Sequence, residues 1–266
     1  MKKIKISKNE LIKRVKIIEN KLNRKPKKRD DNTLYCYSRK LFGSWNNLMK
    51  SAGYKVIYYQ KINFMDLNED SAYFLGLLIT DGHIYFNKKI KNYKVAIYTS
   101  YPEEKEMILK LIQHLFSYTP GISSRRYGFN KKPNYEIRIS SKKLAEIIIS
   151  EYEIPAGPKS LIVDIPKKIM DNSIKIRIAF LRGVIDGDGS IQPNQIKINS
   201  GSEKFIRSLK ELLISLTISS GKIYKSKKSE TFELKIATRK NIKKLKSIYN
   251  TNKFVYLRKK EQIDKV

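Results

Sequence analysis

Two acidic residues stand at matching ends of two similar apolar runs. The first run is Ala72-Tyr73-Phe74-Leu75-Gly76-Leu77-Leu78-Ile79-Thr80-Asp81-Gly82. The second is Ala179-Phe180-Leu181-Arg182-Gly183-Val184-Ile185-Asp186-Gly187-Asp188-Gly189. A carboxylate is a hard oxygen ligand, and a pair of them suits Mg²⁺ or a similar divalent cation. The place is a poor one for a bare acid. A helix C-terminus carries partial negative charge and favours cations, and two acids brought together there repel each other. A local rule broken twice in the same way points to a functional site. A divalent cation between Asp81 and Asp188 would resolve both conflicts. Taken singly, either run is an amphipathic helix ending in an Asp-Gly turn; two equivalent copies argue for shared architecture.

Other residues of each run say how the acids could meet. Small residues fall at every fourth position: Ala72, Gly76 and Thr80 in one run, Ala179, Gly183 and Gly187 in the other. Residues four apart share a helix face, so each helix carries a stripe with almost no side chain. Two such stripes can bring backbones unusually close. If the helices pack in parallel, Asp81 and Asp188 arrive at the same end of the pair.

The segments C-terminal to the two helices also repeat. Beyond the first, the patterns predict strands over 82–87 and 92–100, a helix over 102–116, a hairpin from 122–129 and 134–140 turning at Lys131-Lys132-Pro133, and a helix over 141–150. The second copy reads as a helix over 176–187, strands over 190–192 and 195–199, a helix over 202–216, a hairpin from 218–225 and 231–238, and a helix over 240–249. Ile122-Ser123-Ser124 recurs as Ile218-Ser219-Ser220, and Tyr135-Glu136-Ile137-Arg138-Ile139 as Phe232-Glu233-Leu234-Lys235-Ile236. Arg138 and Lys235 thus take equivalent strand positions. The expected fold is α+β: two pseudo-symmetric αββαββα repeats over 61–158 and 159–266, with antiparallel sheets forming a saddle. The basic tail from 253 has no role fixed by its sequence.

A small three-helix domain is expected over 1–60. Residues 1–66 hold 18 Lys and Arg against 5 Asp and Glu. Ser7 with Glu10 three residues on makes a capping box, and Leu11, Val15, Ile18 and Leu22 then recur at helical spacing until Pro26. Further helices are expected over 33–41 and 44–52, with Trp45 in the core. Lys28, Arg29, Arg39 and Lys40 are candidate phosphate contacts, against the alternative of a solvated surface.

Composition narrows the partner. The net charge of +31, from 56 Lys and Arg against 25 Asp and Glu, calls for a polyanion, with nucleic acid the default. An AT-rich genome inflates Lys but does not require so few acids. One cysteine, Cys36, and two histidines, His83 and His114, allow no intrachain disulfide and no Cys- or His-based zinc site. The basic start has no apolar run behind it, so no signal peptide is expected. The run 73–79 is too short to span a bilayer. The expected setting is soluble and intracellular, cytoplasmic or nucleoid-associated, with an organelle as the variant.

The two runs resemble the LAGLIDADG motif of homing endonucleases, with Asp81 and Asp188 in place of its final, metal-binding acid. The second copy is the closer match; the first has Ile79 where the motif often has an earlier acid. The approach Lys159-Ser160-Leu161, Ile165-Pro166, then Ala179-Phe180-Leu181-Arg182-Gly183 is similar to the run joining the halves of two-repeat members. Leu11-Ile12, Arg24-Lys25-Pro26, Phe42-Gly43-Ser44-Trp45 and Ala52-Gly53 resemble the homing-endonuclease-associated repeat, a helical DNA-binding unit.

The resemblance implies a site-specific double-strand DNA endonuclease, acting as a monomer on a long asymmetric target and promoting mobility of its own coding element. Mg²⁺ is the implied cofactor, with Mn²⁺ able to substitute. Asp81 and Asp188 would hold it, with the backbone near Gly82 and Gly189 beside them. Arg138 and Lys235 resemble the family's basic residues flanking the metal site and are candidates for stabilising phosphorane charge, with simple phosphate contact as the alternative. The polar face of the predicted sheets carries Lys94, Gln192, Gln195, Lys197 and Asn199, side-chain types that read base edges in the major groove, which a β-ribbon fits. Two other readings fit the same scaffold: a maturase binding group I intron RNA, and a non-catalytic DNA-binding regulator. A protein-splicing element is not expected, because Met1 is no splicing nucleophile and the chain does not end in His-Asn.

Overall fold

The computed structural model describes residues 6–55, 62, 66–89, 92–125, 133–227, 229–249 and 253–265. The chain separates into two compact units, Met1–Lys61 and Ile62–Val266.

The first unit has three helices: α1 (Lys8–Leu22), α2 (Asn32–Phe42) and α3 (Trp45–Ser51). Each begins at a side-chain cap, which satisfies an otherwise orphan helix N–H. The Ser7–Glu10 capping box opens α1. Asp31 accepts from the Leu34 N–H at 2.8 Å, and Ser44 from the Asn47 N–H at 3.1 Å. Leu11, Val15, Leu34, Trp45, Leu48, Met49 and Ala52 form the core, with Trp45 inside as expected. Pro26 does not end α1. Asn23 does, by turning left-handed at φ 48°, a conformation Asn tolerates better than most residues.

The second unit is organised on α4 (Glu69–Asp81) and α8 (Ile174–Asp188). The small stripes meet. A Cβ on Gly76 would lie 2.4 Å from the Phe180 carbonyl oxygen, and one on Gly183 would lie 2.3 Å from that of Tyr73. No side chain fits either place, so the backbones touch. Gly187 lies against Thr80 and Asp81 further along. Contacts advance in the same sense on both helices, so the pair is parallel. The second helix starts two residues before its expected start, because Ser173 caps it, and both helices include their terminal acid.

Around this pair the two repeats follow the expected order. The first continues with β1 (Gly82–Asn87), β2 (Asn92–Thr99), α5 (Pro102–Phe116), β3 (Gly121–Arg125), β4 (Asn134–Ile139) and α6 (Lys142–Glu151). A short α7 (Lys167–Met170), not foreseen, precedes α8. The second continues with β5 (Gly189–Gln192), β6 (Gln195–Ser200), α9 (Glu203–Ser215), β7 (Tyr224–Lys225), β8 (Phe232–Ala237) and α10 (Arg239–Tyr249); α11 (Leu257–Asp264) comes last. Strand orders are β1-β2-β4-β3 and β5-β6-β8-β7, all antiparallel. Alternation puts Ile84, Val95, Ile97, Ile137 and Ile139 of one sheet, and Ile196, Ile198, Leu234 and Ile236 of the other, into a common core with the helices. The predicted strand end near Phe129 and the Lys131-Lys132 turn lie outside the described residues.

One strand is much shorter than its pattern. The segment 218–225 pairs as strand only at Tyr224–Lys225. The Gly221 N–H still donates to the Lys235 carbonyl at 2.8 Å, as Gly121 pairs with Arg138 in the first sheet, but two residues, Lys222 and Ile223, then stand opposite Leu234 before Tyr224 meets Glu233. Ser219 precedes this pairing, and there the Asn241 side chain of α10 accepts from its N–H at 3.3 Å and donates to its carbonyl at 2.9 Å. The expected Ile-Ser-Ser echo is therefore not a structural equivalence: Ser123 faces Glu136 in the first sheet, whereas Tyr224 faces Glu233 in the second. Among the described residues no helix is long and apolar enough to cross a membrane.

Candidate metal and phosphodiester site

Asp81 and Asp188 are the last residues of α4 and α8, and the backbone contact at Gly76 and Gly183 holds those ends together. Asp81 Oδ2 lies 3.2 Å from where a Cβ of Gly187 would stand, so the acid of one repeat reaches the helix end of the other. Gly82 and Gly189 come next for a steric reason. A Cβ there would lie 2.3 Å from the Leu78 carbonyl oxygen and 2.4 Å from that of Ile185.

Two lysines complete the arrangement, and the motif pattern marks neither as a site residue. Lys159, 8% exposed, donates from Nζ to the carbonyls of Ile79 and Thr80 at the end of α4. Lys259, 6% exposed, donates to the Gly189 carbonyl at the end of α8. Each motif helix thus ends beside a buried ammonium that answers its partial negative charge; Lys159 bonds carbonyls of the last turn of α4, and Lys259 that of the residue just past α8. The chain itself therefore supplies part of the compensation that the sequence pattern leaves wholly to a divalent cation. One signal was present: a Lys comes about one repeat after each acid, inside the joining run for Lys159 and inside the tail for Lys259.

Burial sets the electrostatics. It pushes the Asp81 carboxyl up to about 7; repulsion from Asp188 and Glu104 adds to this, and Lys259 and Lys159 oppose it. Burial pushes Asp188 up to about 6, opposed by Lys159 and then Lys259. Asp81 is half-buried and Asp188 is exposed, so water mutes the push on Asp188 more. Burial lowers the pKa of both lysines. Each acid feels most strongly the lysine that caps the other repeat's helix, which makes both halves of the site composites of two repeats.

Arg138 and Lys235 occupy equivalent places on the open sheet faces, each held by a nearby Glu. Arg138 pairs with Glu136 at 3.4 Å and donates to Ser123 Oγ at 3.0 Å; Lys235 pairs with Glu233 at 3.2 Å. The lysines that act electrostatically on Asp81 and Asp188 are Lys159 and Lys259. Lys94 lines a cleft with Tyr98, Ser123, Arg125, Asn134 and Glu136. On the second sheet Gln195 donates to Gln192 at 2.8 Å, Lys197 faces Lys235 across the strands, and Asn199 faces Glu233. Within the first unit Lys28, Arg29, Arg39 and Lys40 are all exposed, and Lys28 and Lys40 lie over the rings of Tyr35 and Tyr37.

The donor set suits a hard cation. Two carboxylates with raised pKa face each other, neither accepts a hydrogen bond among the described residues, and no His or Cys stands with them as a metal cluster. Oxygen-only ligation favours Mg²⁺ or Mn²⁺, and binding would relieve the repulsion.

Known proteins agree with this frame. Residues 175–250 match the LAGLIDADG-like domain and residues 6–55 the homing endonuclease associated repeat. A probable translation initiation factor IF-2 of Methanocaldococcus jannaschii is 28% identical over 211 residues, 75% of this chain but 16% of that protein. Homing endonuclease I-ApeI of Aeropyrum pernix is 27% identical over 121 residues, 45% of this chain and 51% of that protein. The chain thus spans about half or less of these relatives. The crystal structure of I-DmoI in complex with DNA and Mn superposes with a TM-score of 0.56 at 22% identity, covering 71% of this chain and 100% of that one. With two motif helices and two matching sheets, the chain has the fold of I-DmoI, and its matched segments are similar to a LAGLIDADG-like domain over 175–250 and to the homing endonuclease associated repeat over 6–55.

Proposed function

We propose that this chain is a site-specific double-strand DNA endonuclease that hydrolyses phosphodiesters with divalent metal held by Asp81 and Asp188. The observation that carries the reading is the convergence of the two acids at the end of one parallel helix pair, each beside a buried lysine. Mg²⁺ is the proposed resident ion, with Mn²⁺ able to substitute, and the backbone at Gly82 and Gly189 lies alongside. When bound, such an ion supplies an activated water and Lewis-acid neutralisation of the phosphate.

The chain's own residues do the rest. Asp81 and Asp188 orient whatever binds between them, since the Gly76–Gly183 contact fixes their helix ends. Lys159 and Lys259 present ammonium groups on the same ground, where charge gathers on a pentacovalent phosphorus and on the leaving oxygen. Fixed cations in a crowded site stabilise such charge without rearranging during the reaction. Arg138 and Lys235, tied to Glu136 and Glu233, contact DNA on the sheet faces. Lys94, Gln192, Gln195, Lys197 and Asn199 read the major groove there, while Lys28, Arg29, Arg39 and Lys40 add phosphate contacts. We divide the second unit into repeats over 61–158 and 159–266. Unlike halves suit a long, asymmetric duplex read by a monomer, and its place is with intracellular DNA. Three-quarters of this chain being matched within a sixth of an initiation factor supports a mobile segment.

The test is cleavage of duplex DNA from the gene's own insertion locus, rejoined without the insert, in Mg²⁺ and then in EDTA. Discrete Mg²⁺-dependent breaks near the junction, absent in Asp188→Asn, are expected. Tight binding without breaks in several divalent ions would reject the nuclease and favour a regulator or a binder of intron RNA.

A further inference from the structure

The segment carrying Lys259 is held by two buried acids, one from each repeat. Phe254, Val255 and Tyr256 are buried. Asp186, 1% exposed, accepts from the Tyr256 backbone N–H at 2.9 Å, from the Tyr249 hydroxyl at 3.0 Å and from the Tyr73 hydroxyl at 2.6 Å. It thereby ties α10, α4 and the strand-like approach to α11 to one carboxylate. Arg182 of α8 adds a bond to the Phe254 carbonyl and lies over the Tyr73 ring at 5.1 Å. From the first repeat, Glu104 of α5, 3% exposed, accepts from Arg258 at 2.9 and 3.2 Å and from Thr99 at 2.5 Å. The next residue after Arg258 is Lys259.

Apolar packing alone is not directional. A buried acid with several donors fixes register, since each unmade bond leaves a costly polar group. The first repeat lacks this device. Its Ile79 stands where the second repeat has Asp186, and Lys159 sits between buried Ile154 and buried Val163.

We infer that Asp186 and Glu104 are positioning residues: they clamp the segment from Phe254 to Arg258, set Lys259 Nζ at the end of α8, and so govern one of two strand-cutting half-sites without governing the other. This inference rests on the nuclease reading.

The experiment uses the full chain and a duplex target labelled on either strand, with Lys259→Met as the reference that identifies the dependent strand. Arg258→Gln and Tyr249→Phe loosen the clamp while leaving Lys259 and both site acids in place. Cutting of the dependent strand should slow by about tenfold to a hundredfold, with DNA affinity and the other strand's rate unchanged, so that nicked product accumulates. Arg258→Lys should restore part of the rate. In the DNA-free protein, the Lys259 amine should gain reactivity toward an acylating reagent in Arg258→Gln, read by mass spectrometry. Equal slowing of both strands, or no slowing, would overturn the clamp. A wild type that cuts neither strand would instead sink the nuclease reading, and unchanged Lys259 reactivity in Arg258→Gln would then reject the clamp on its own.

Discussion

The first repeat's lysine lies in a segment packed by apolar side chains, whereas the second's lies in a segment that is also bonded to two buried acids. Lys159 lies in the run joining the repeats, anchored by buried side chains on both sides. Lys259 lies between buried Tyr256 and Ile263, and its segment is held besides by Asp186 and Glu104. The sheets differ in the same spirit: Ala96 faces Arg138 in the first, while Lys197 faces Lys235 in the second. Equivalent geometry at a pseudo-symmetric site therefore does not require equivalent support. Half-sites of similar layout can differ in how easily they are disturbed.

The largest effect should come from the acids, and it tests whether the halves are equal where chemistry occurs. Asp81→Asn and Asp188→Asn should each reduce double-strand cutting by about a thousandfold, with DNA affinity kept, as read by plasmid linearisation and gel shift. Loss of binding in both would give the acids a structural role instead.

Next comes the shared helix contact. Gly183→Ala puts a methyl where the Tyr73 carbonyl oxygen already stands and should cost about 3 kcal/mol in denaturant unfolding of the second unit. A change below about 1 kcal/mol would show that the helices part more easily than their contact implies.

Asn241→Leu gives the second repeat the residue that the first has at Leu144. The Ser219 N–H and carbonyl would lose their partner, at a cost of about 1–3 kcal/mol. Amide exchange at Ser219 reads the same change. Unaltered exchange would mean that Asn241 does not hold Ser219.

A smaller, pH-dependent effect separates the two acids. Asp81 has a folded pKa of about 7, above its unfolded value, so the protonated form favours the fold. That stability is present below about pH 4 and is lost as pH rises through 7. In EDTA, Asp81→Asn should therefore melt above wild type at pH 8, and the gap should close by pH 4.5. Asp188→Asn should show the same trend more weakly, since water reaches Asp188. A gap that widens toward acid would refute the cost of burying the Asp81 charge.

The smallest effect lies in the first unit. Lys40→Gln should weaken DNA binding uniformly across sequences and reduce the log–log salt slope by about 1. An unchanged slope would remove Lys40 from the phosphate contacts.

Much of the fold was legible because it depends on local rules. Ser7, Asp31, Ser44, Ser141, Ser173 and Ser202 cap helices by bonds to neighbours three residues away, and strand alternation is a period of two. The pattern overestimates β7 because Lys222 and Ile223 both stand opposite Leu234, and a break in pairing depends on register with a distant strand. It also gives Pro26 a role that Asn23 takes, since a left-handed residue leaves little mark among the apolar positions.

The sequence by itself determined the doubled motif, the small stripes that permit a close parallel pair, the two acids at its end, the order of elements in each repeat and the overwhelming positive charge. These depend on residue type and spacing along the chain. Only the tertiary structure decided which cations face the acids, that Asp186 is buried under three donors, and that the tail completes the second half of the site. Such pairings join residues from separate elements, and burial strengthens their interactions only once the whole fold has excluded water from between them.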